Sequence, residues 1–201
     1  MEFISAIEII GTVAFAVSGA LVAIDRELDY YGIVFLAIIT AVGGGIVRDI
    51  LIDASLPVAL DNPVYAIISI ISAVLVIIFY RQFVRLAKVI QLFDAVGLAA
   101  FTAIGAQVAV ANDLFQPFIV ITLAVLTGTG GGVLRDVFAK EIPFVFREEI
   151  YAVASIMGAT LFIAVFDSAG SEPALYACFA VTLVIRLFCM KKNVHLKKVA
   201  K

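Results

Sequence analysis

Apolar residues fall into seven runs, near residues 3–24, 31–52, 63–80, 92–110, 116–138, 150–167 and 173–190. Each is close to the ~20 residues that a helix needs to cross a bilayer. The polar residues collect in the short connections between the runs, none long enough to fold by itself. The pattern therefore predicts an all-α membrane protein with seven transmembrane helices, organised as a single transmembrane domain over residues 1–201. Composition agrees: 64% of the 201 residues are hydrophobic and 15% are charged, with a mean hydropathy of +1.15, which excludes an ordinary soluble domain. Met1-Glu2-Phe3-Ile4 carries no basic stretch ahead of the first run, so that run reads as a retained span and not as a cleaved signal.

The net charge of −2 says little, but the placement of the cations says more. Arg26, Arg81, Arg85, Lys88, Lys140, Arg147 and the tail residues Lys191, Lys192, Lys197, Lys198 and Lys201 all fall on one side when the spans alternate. The opposite connections carry Asp53, Asp61, Asp113, Asp167 and Glu172 and no Lys or Arg. Positive residues stay on the cytoplasmic side, so the C-terminus is expected inside and the N-terminus outside. The basic tail, 191–201, reads as a solvated cytoplasmic end, with anionic lipid headgroups as a second possible contact.

The chain also repeats itself. Glu8, Gly11, Phe15, Gly19 and Ala20 match Asp94, Gly97, Phe101, Gly105 and Ala106 at an offset of 86 residues; Tyr65, Ser69 and Ala73 match Tyr151, Ser155 and Ala159 at the same offset. Gly43-Gly44-Gly45-Ile46-Val47-Arg48-Asp49 matches Gly130-Gly131-Gly132-Val133-Leu134-Arg135-Asp136 at 87. Two three-span units, about 3–80 and 92–167, are followed by an extra helix at about 173–190. A unit that crosses three times returns its successor from the other face, so the two units are expected to be inverted and related by a pseudo-two-fold axis in the membrane plane, with the working site where they meet.

Three consecutive glycines cost a helix about 1 kcal/mol each relative to alanine. Two readings of the triplets stand. One is a kink or unwound turn whose freed carbonyls line a wet pathway and hold potassium or sodium transiently; the other is close helix packing. The symmetry of the two triplets, each followed by Arg-Asp, favours the pathway reading, with Gly43, Gly44, Gly45, Gly130, Gly131 and Gly132 as its lining. An arginine facing lipid is expensive, so Arg48 is expected to pair with Glu8 and Arg135 with Asp94. Asp49 and Asp136 are alternative partners or cation-attracting groups on the pathway. The small residues of the first and fourth spans read as packing positions, with the Ser18 and Thr102 hydroxyls as candidate pathway groups.

Other chemistries fail on particular residues. No Gly-x-x-x-x-Gly-Lys-Ser/Thr loop is present, and Gly128-Thr129-Gly130-Gly131-Gly132-Val133 lacks the third glycine of a dinucleotide turn. The single histidine, His195, sits in the basic tail, which leaves no histidine-based triad or metal site. An Asp49–Asp136 protease dyad would have to share a proton, and the adjacent arginines hold both carboxylates ionised. Cys178 and Cys189 lie eleven residues apart on one predicted helix, about 16 Å along its axis, too far for a disulfide. No enzyme, cofactor, metal centre or nucleic-acid surface is expected.

Two Gly-Gly-Gly-x-x-Arg-Asp motifs in inverted three-helix repeats, with a seventh helix and about 200 residues, resemble the prokaryotic trimeric intracellular cation (TRIC) channel family over the whole chain to Met190. The resemblance implies a prokaryotic inner-membrane homotrimer with a pore in each protomer, permeable to potassium and also to sodium, lined by helices kinked at 43–45 and 130–132. The phosphoinositide binding of animal members is not carried over, because Arg135-Asp136-Val137 replaces their lysine-containing motif. Small amino acid transport, of glycine in particular, has been suggested within the same bacterial family and is the alternative. The lack of a further polar cluster to hold both ends of a zwitterion favours the channel.

Overall fold

The computed structural model describes residues 6–54, 56–80, 86–147 and 150–192. Most of the basic tail and the arginines at 81 and 85 lie outside these residues. The described elements are α1 (Ala6–Asp25), α2 (Tyr30–Leu51), α3 (Val58–Asp61), α4 (Val64–Phe79), α5 (Leu86–Ala111), α6 (Pro117–Phe138), α7 (Phe144–Arg147), α8 (Tyr151–Ala169) and α9 (Ser171–Lys192). Six are long and apolar enough to cross a membrane. The seventh, α4, is apolar but has 16 described residues, about 24 Å of helix. The short helices α3 and α7 sit inside connections that the hydrophobic pattern reads as loops.

Local chemistry explains the boundaries. Asp29 caps α2 by accepting from Gly32 N at 2.7 Å, and Pro117 opens α6, where its missing N–H costs nothing. Four helices end on a residue in the left-handed region: Glu27 (φ 56°), Asp53 (φ 57°), Asp113 (φ 59°) and Lys140 (φ 57°). Each precedes a backbone bond that closes the helix end: Leu28 N to Ala23 O at 3.0 Å, Ala54 N to Asp49 O at 3.0 Å, Leu114 N to Ala109 O at 3.0 Å, and Glu141 N to Asp136 O at 2.8 Å. Glu27 and Asp113 are 86 residues apart, and Asp53 and Lys140 are 87 apart. The sequence repeat is thus also a repeat of helix-ending geometry.

The most buried helices, α1 and α5, pack on each other, and α2 packs on α6. Phe15 of α1 stacks on Phe101 of α5 with ring centroids 5.4 Å apart. Each ring lies over a glycine of the opposite helix, Phe15 over Gly97 and Phe101 over Gly11.

Neither glycine triplet unwinds its helix: α2 and α6 are continuous through residues 43–45 and 130–132. The unwound turn expected there is therefore not seen: both segments remain helical. The physical reason is a crossing of backbone on backbone. A Cβ on Gly44 would collide with Thr127 O and lie 3.2 Å from Gly131 N; one on Gly131 would collide with Thr40 O; one on Gly130 would lie 3.0 Å from Gly44 Cα. Gly45 differs, because its nearest neighbour would be Arg48 Nη2 at 3.7 Å.

These environments give opposite signs to one substitution. Gly45→Ala gains helix propensity without a clash and should stabilise by up to about 1 kcal/mol. Gly44→Ala meets backbone that cannot rotate away and should destabilise by about 1–3 kcal/mol despite the same gain. Thermal unfolding of the two variants in detergent, beside the parent protein, checks both signs.

Candidate functional site

Each of α2 and α6 ends in an arginine and an aspartate that fold back on each other. Arg48 donates from Nε to Asp49 Oδ1 at 2.8 Å, with Nη2 2.7 Å from the same oxygen. Asp49 Oδ2 accepts from Val58 N at 2.9 Å, at the start of α3. The second copy repeats this: Arg135 Nε donates to Asp136 Oδ1 at 2.8 Å, and Asp136 Oδ2 accepts from Phe144 N at 2.8 Å, at the start of α7. Each carboxylate therefore answers a guanidinium and anchors the short helix that follows.

The surroundings of the two copies differ. Arg135 is fully buried and its Nη1 donates to Asp94 Oδ1 and to Ser18 Oγ, both at 2.6 Å. Its guanidinium carbon lies 4.8 Å from the Phe144 ring centroid. In the first copy Arg48 is paired with Asp49, while Glu8 accepts from Tyr65 Oη at 3.3 Å; Glu8 and Arg48 line one recess. Thr102, placed by sequence beside Ser18 as a pathway hydroxyl, donates instead to Ser155 Oγ at 2.9 Å.

Two recesses flank the centre of the bundle. The first, with a cavity volume of about 30 Å³, is lined by Glu8, Arg48, Asp49, Tyr65, Gly45 and Phe101, among others. The second, of about 200 Å³, is lined by Asp25, Gln91, Asp136, Glu141 and Phe144 with apolar neighbours. Helix α1 contributes Glu8 to the first and Asp25 to the second, 17 residues or about 25 Å apart along its axis. Helix α5 runs the other way, contributing Gln91 to the second recess and Ile104 to the first. Phe15 and Phe101 lie between these points on their helices, and Phe101 also lines the first recess. Carboxylates outnumber cations among the lining residues of both, which favours positive solutes there. Arg26, at the turn after α1, forms an ion pair with Glu141 at the second recess. No metal-binding cluster of His, Cys, Asp and Glu occurs among the described residues.

Sequence reasoning matched Phe15 with Phe101 and Tyr65 with Tyr151 without giving either pair a role. It passed over Arg186, which is 2% exposed on α9 with its guanidinium carbon 4.8 Å from the Tyr151 ring centroid. The signal was available, because an arginine inside an apolar run is a candidate functional residue by cost alone.

Comparison with known proteins places this geometry. The family model described as glycine transporter matches the chain twice, at residues 5–81 and 91–167. The UPF0126 inner membrane protein YadS of Escherichia coli (strain K12) is 38% identical over 193 residues, covering 94% of this chain and 93% of that protein. The UPF0126 membrane protein YvgT of Bacillus subtilis is 39% identical over 183 residues, covering 90% and 89%. Among solved structures, a TRIC trimeric intracellular cation channel orthologue from Rhodobacter sphaeroides superposes with a TM-score of 0.89 at 34% identity, covering 94% of this chain and 97% of that one. A second, solved to explain conductance through TRIC cation channels, gives 0.86 at 31% identity and 97% of each chain.

Arg135 is the residue on which the second site turns. Arg135→Gln leaves Asp94 and Asp136 buried without their guanidinium, a change that costs about 3–5 kcal/mol. Thermal unfolding in detergent should show that loss, and Ser18→Ala, which removes one neutral hydroxyl, should lose about 1 kcal/mol.

Proposed function

The chain belongs to the prokaryotic TRIC family of membrane proteins, whose family model carries the description glycine transporter, and from that premise we propose that it is a cation channel. Potassium is the main permeant ion, with sodium passing as well, and each protomer of a homotrimer carries its own pathway. Two inverted three-helix units, about 3–80 and 92–167, form that pathway, and α4 crosses the membrane as its counterpart α8 does. The N-terminus lies outside and the C-terminus in the cytoplasm of a prokaryotic inner membrane. Gly43 to Gly45 and Gly130 to Gly132 bring α2 and α6 together at the centre, and Arg48, Asp49, Arg135 and Asp136 stand at the two ends.

The observation that carries this reading is the pair of carboxylate-lined recesses on either side of the Phe15–Phe101 stack. A cation gains from the carboxylates at each end, and the Phe15–Phe101 stack is the constriction between them. Such a constriction conducts when wetted and closes by excluding water. Glu8 and Asp49 at one end, and Asp25, Asp136 and Glu141 at the other, raise the local cation concentration. Membrane lipid covers the outward faces, where α4 exposes Ile67, Ile71, Leu75 and Ile78.

The alternative, a carrier of glycine, fits the same two-unit plan, and its support is the description that the family model carries.

Flux from purified protein in liposomes separates the two. Potassium-loaded vesicles should empty rapidly with no other solute present, and labelled glycine should not accumulate. Saturable glycine uptake with negligible potassium leak would overturn the channel reading. In planar bilayers Phe101→Ala, which removes one ring of the constriction, should raise potassium conductance about twofold or more; an unchanged conductance in a folded variant would remove the rings from the pathway.

A further inference from the structure

Arg186 belongs to α9, which lies beyond the two segments that the family model matches. It is one of two arginines buried almost completely in this half of the molecule, the other being Arg135. Arg135 faces two carboxylates, Asp94 and Asp136, so those three groups alone carry one excess negative charge. Tyr151 links the two arginines. Its ring lies 4.8 Å from the Arg186 guanidinium carbon. Its hydroxyl reaches the position of Gly132, where an added Cβ would lie 3.0 Å from Tyr151 Oη, 3.4 Å from Asp94 Oδ1 and 3.7 Å from Arg135 Nη2. Four buried polar atoms of this group, Asp94 Oδ2, Arg135 Nη2, Tyr151 Oη and Arg186 Nε, have no hydrogen-bond partner among the described residues. Buried polar atoms in that state are costly, and here they sit in one polar cluster.

We infer that Arg186 is a positioning residue of the cation pathway: from α9 it holds Tyr151 beside Asp94 and supplies the countercharge to the second carboxylate on Arg135. The two repeats do not neutralise the Asp94–Arg135–Asp136 cluster by themselves, and the seventh helix completes it. Opposing charges are Asp94 and Asp136 against Arg135 and Arg186. The cation over the Tyr151 face is held by the ring quadrupole in a desolvated setting, where that attraction is strongest. The effect on conduction rests on the channel reading above; the charge balance does not.

Two measurements on the full-length protein test this separately. In thermal unfolding, Arg186→Gln and Asp94→Asn each unbalance the cluster and should each lower the midpoint by roughly 5 °C or more. The double variant restores neutrality and should melt above either single variant, and Arg186→Lys should recover most of the loss. Additive losses, with the double variant lowest, would overturn the assignment. In planar bilayers Arg186→Gln leaves an extra negative charge beside the pathway. It should raise potassium conductance about twofold in 20 mM KCl, with the difference gone in 1 M KCl, where charge is screened over about 3 Å. Equal conductance of the parent and Arg186→Gln proteins at low salt would overturn the pathway role. Recovery in the melts with no potassium current from any form would support the charge balance and overturn the channel reading instead.

Discussion

A guanidinium with no exposure at all must find its countercharge inside the protein, and much of this structure follows from where Arg135 finds it. Asp136 is one residue away and Asp94 comes from the helix that opens the second repeat, so α6 and α5 are tied at a fixed height. Ser18 of α1 completes the set, which brings the first repeat to the same point. A buried charge pair adds little net stability against an apolar replacement, but breaking one is expensive. The cluster therefore contributes registry more than strength. In the arrangement that brings Asp94 and Ser18 to Arg135, Phe15 stacks on Phe101.

The helix crossings obey a second constraint. Association in lipid gains nothing from hiding apolar surface, so helices must approach closely enough for dispersion and backbone contact to hold them. At Gly44 and Gly131 a side chain would strike a carbonyl of the opposing helix. The glycines at these positions thus answer to the distance between the two helices. That distance also sets the width of the space left beside the crossing, where Gly45 and Phe101 line the first recess. The tight contact of Gly44 with Gly131 fixes the position of the neighbouring wall of that recess.

Much of this was legible in the residues. The seven apolar runs and the described helices agree to within a few residues at most ends, because ~20 apolar residues in a row have few other uses. The Arg135–Asp94 ion pair followed from the cost of an intramembrane charge and from the offset of 86. The continuity of α2 and α6 did not follow: helix propensity treats three glycines as a weak point, whereas at Gly44, Gly130 and Gly131 the opposing helix makes the glycine a contact. Arg48 pairs with Asp49, the neighbour that the sequence offered as the alternative to Glu8. Arg186 was missed because the repeat drew attention to residues that occur twice, and it occurs once.

That single occurrence gives the seventh helix its place. Two copies of a unit build two equivalent ends, and equivalence alone would give each end the same groups. In this chain the positions of Glu8 and Asp94 are filled by carboxylates of different length, and the tyrosines at 65 and 151 differ in surroundings: the Tyr65 hydroxyl donates to Glu8, and the Tyr151 ring lies against the Arg186 guanidinium. The difference enters through α9, which packs on α8 and α5 and not on the first three spans. A duplicated scaffold supplies the central contact, where α1 meets α5 and α2 meets α6 in matched pairs, and an unduplicated helix makes its two ends chemically distinct. A membrane has two different sides, and in the proposed channel ends that differ can respond to each of them separately.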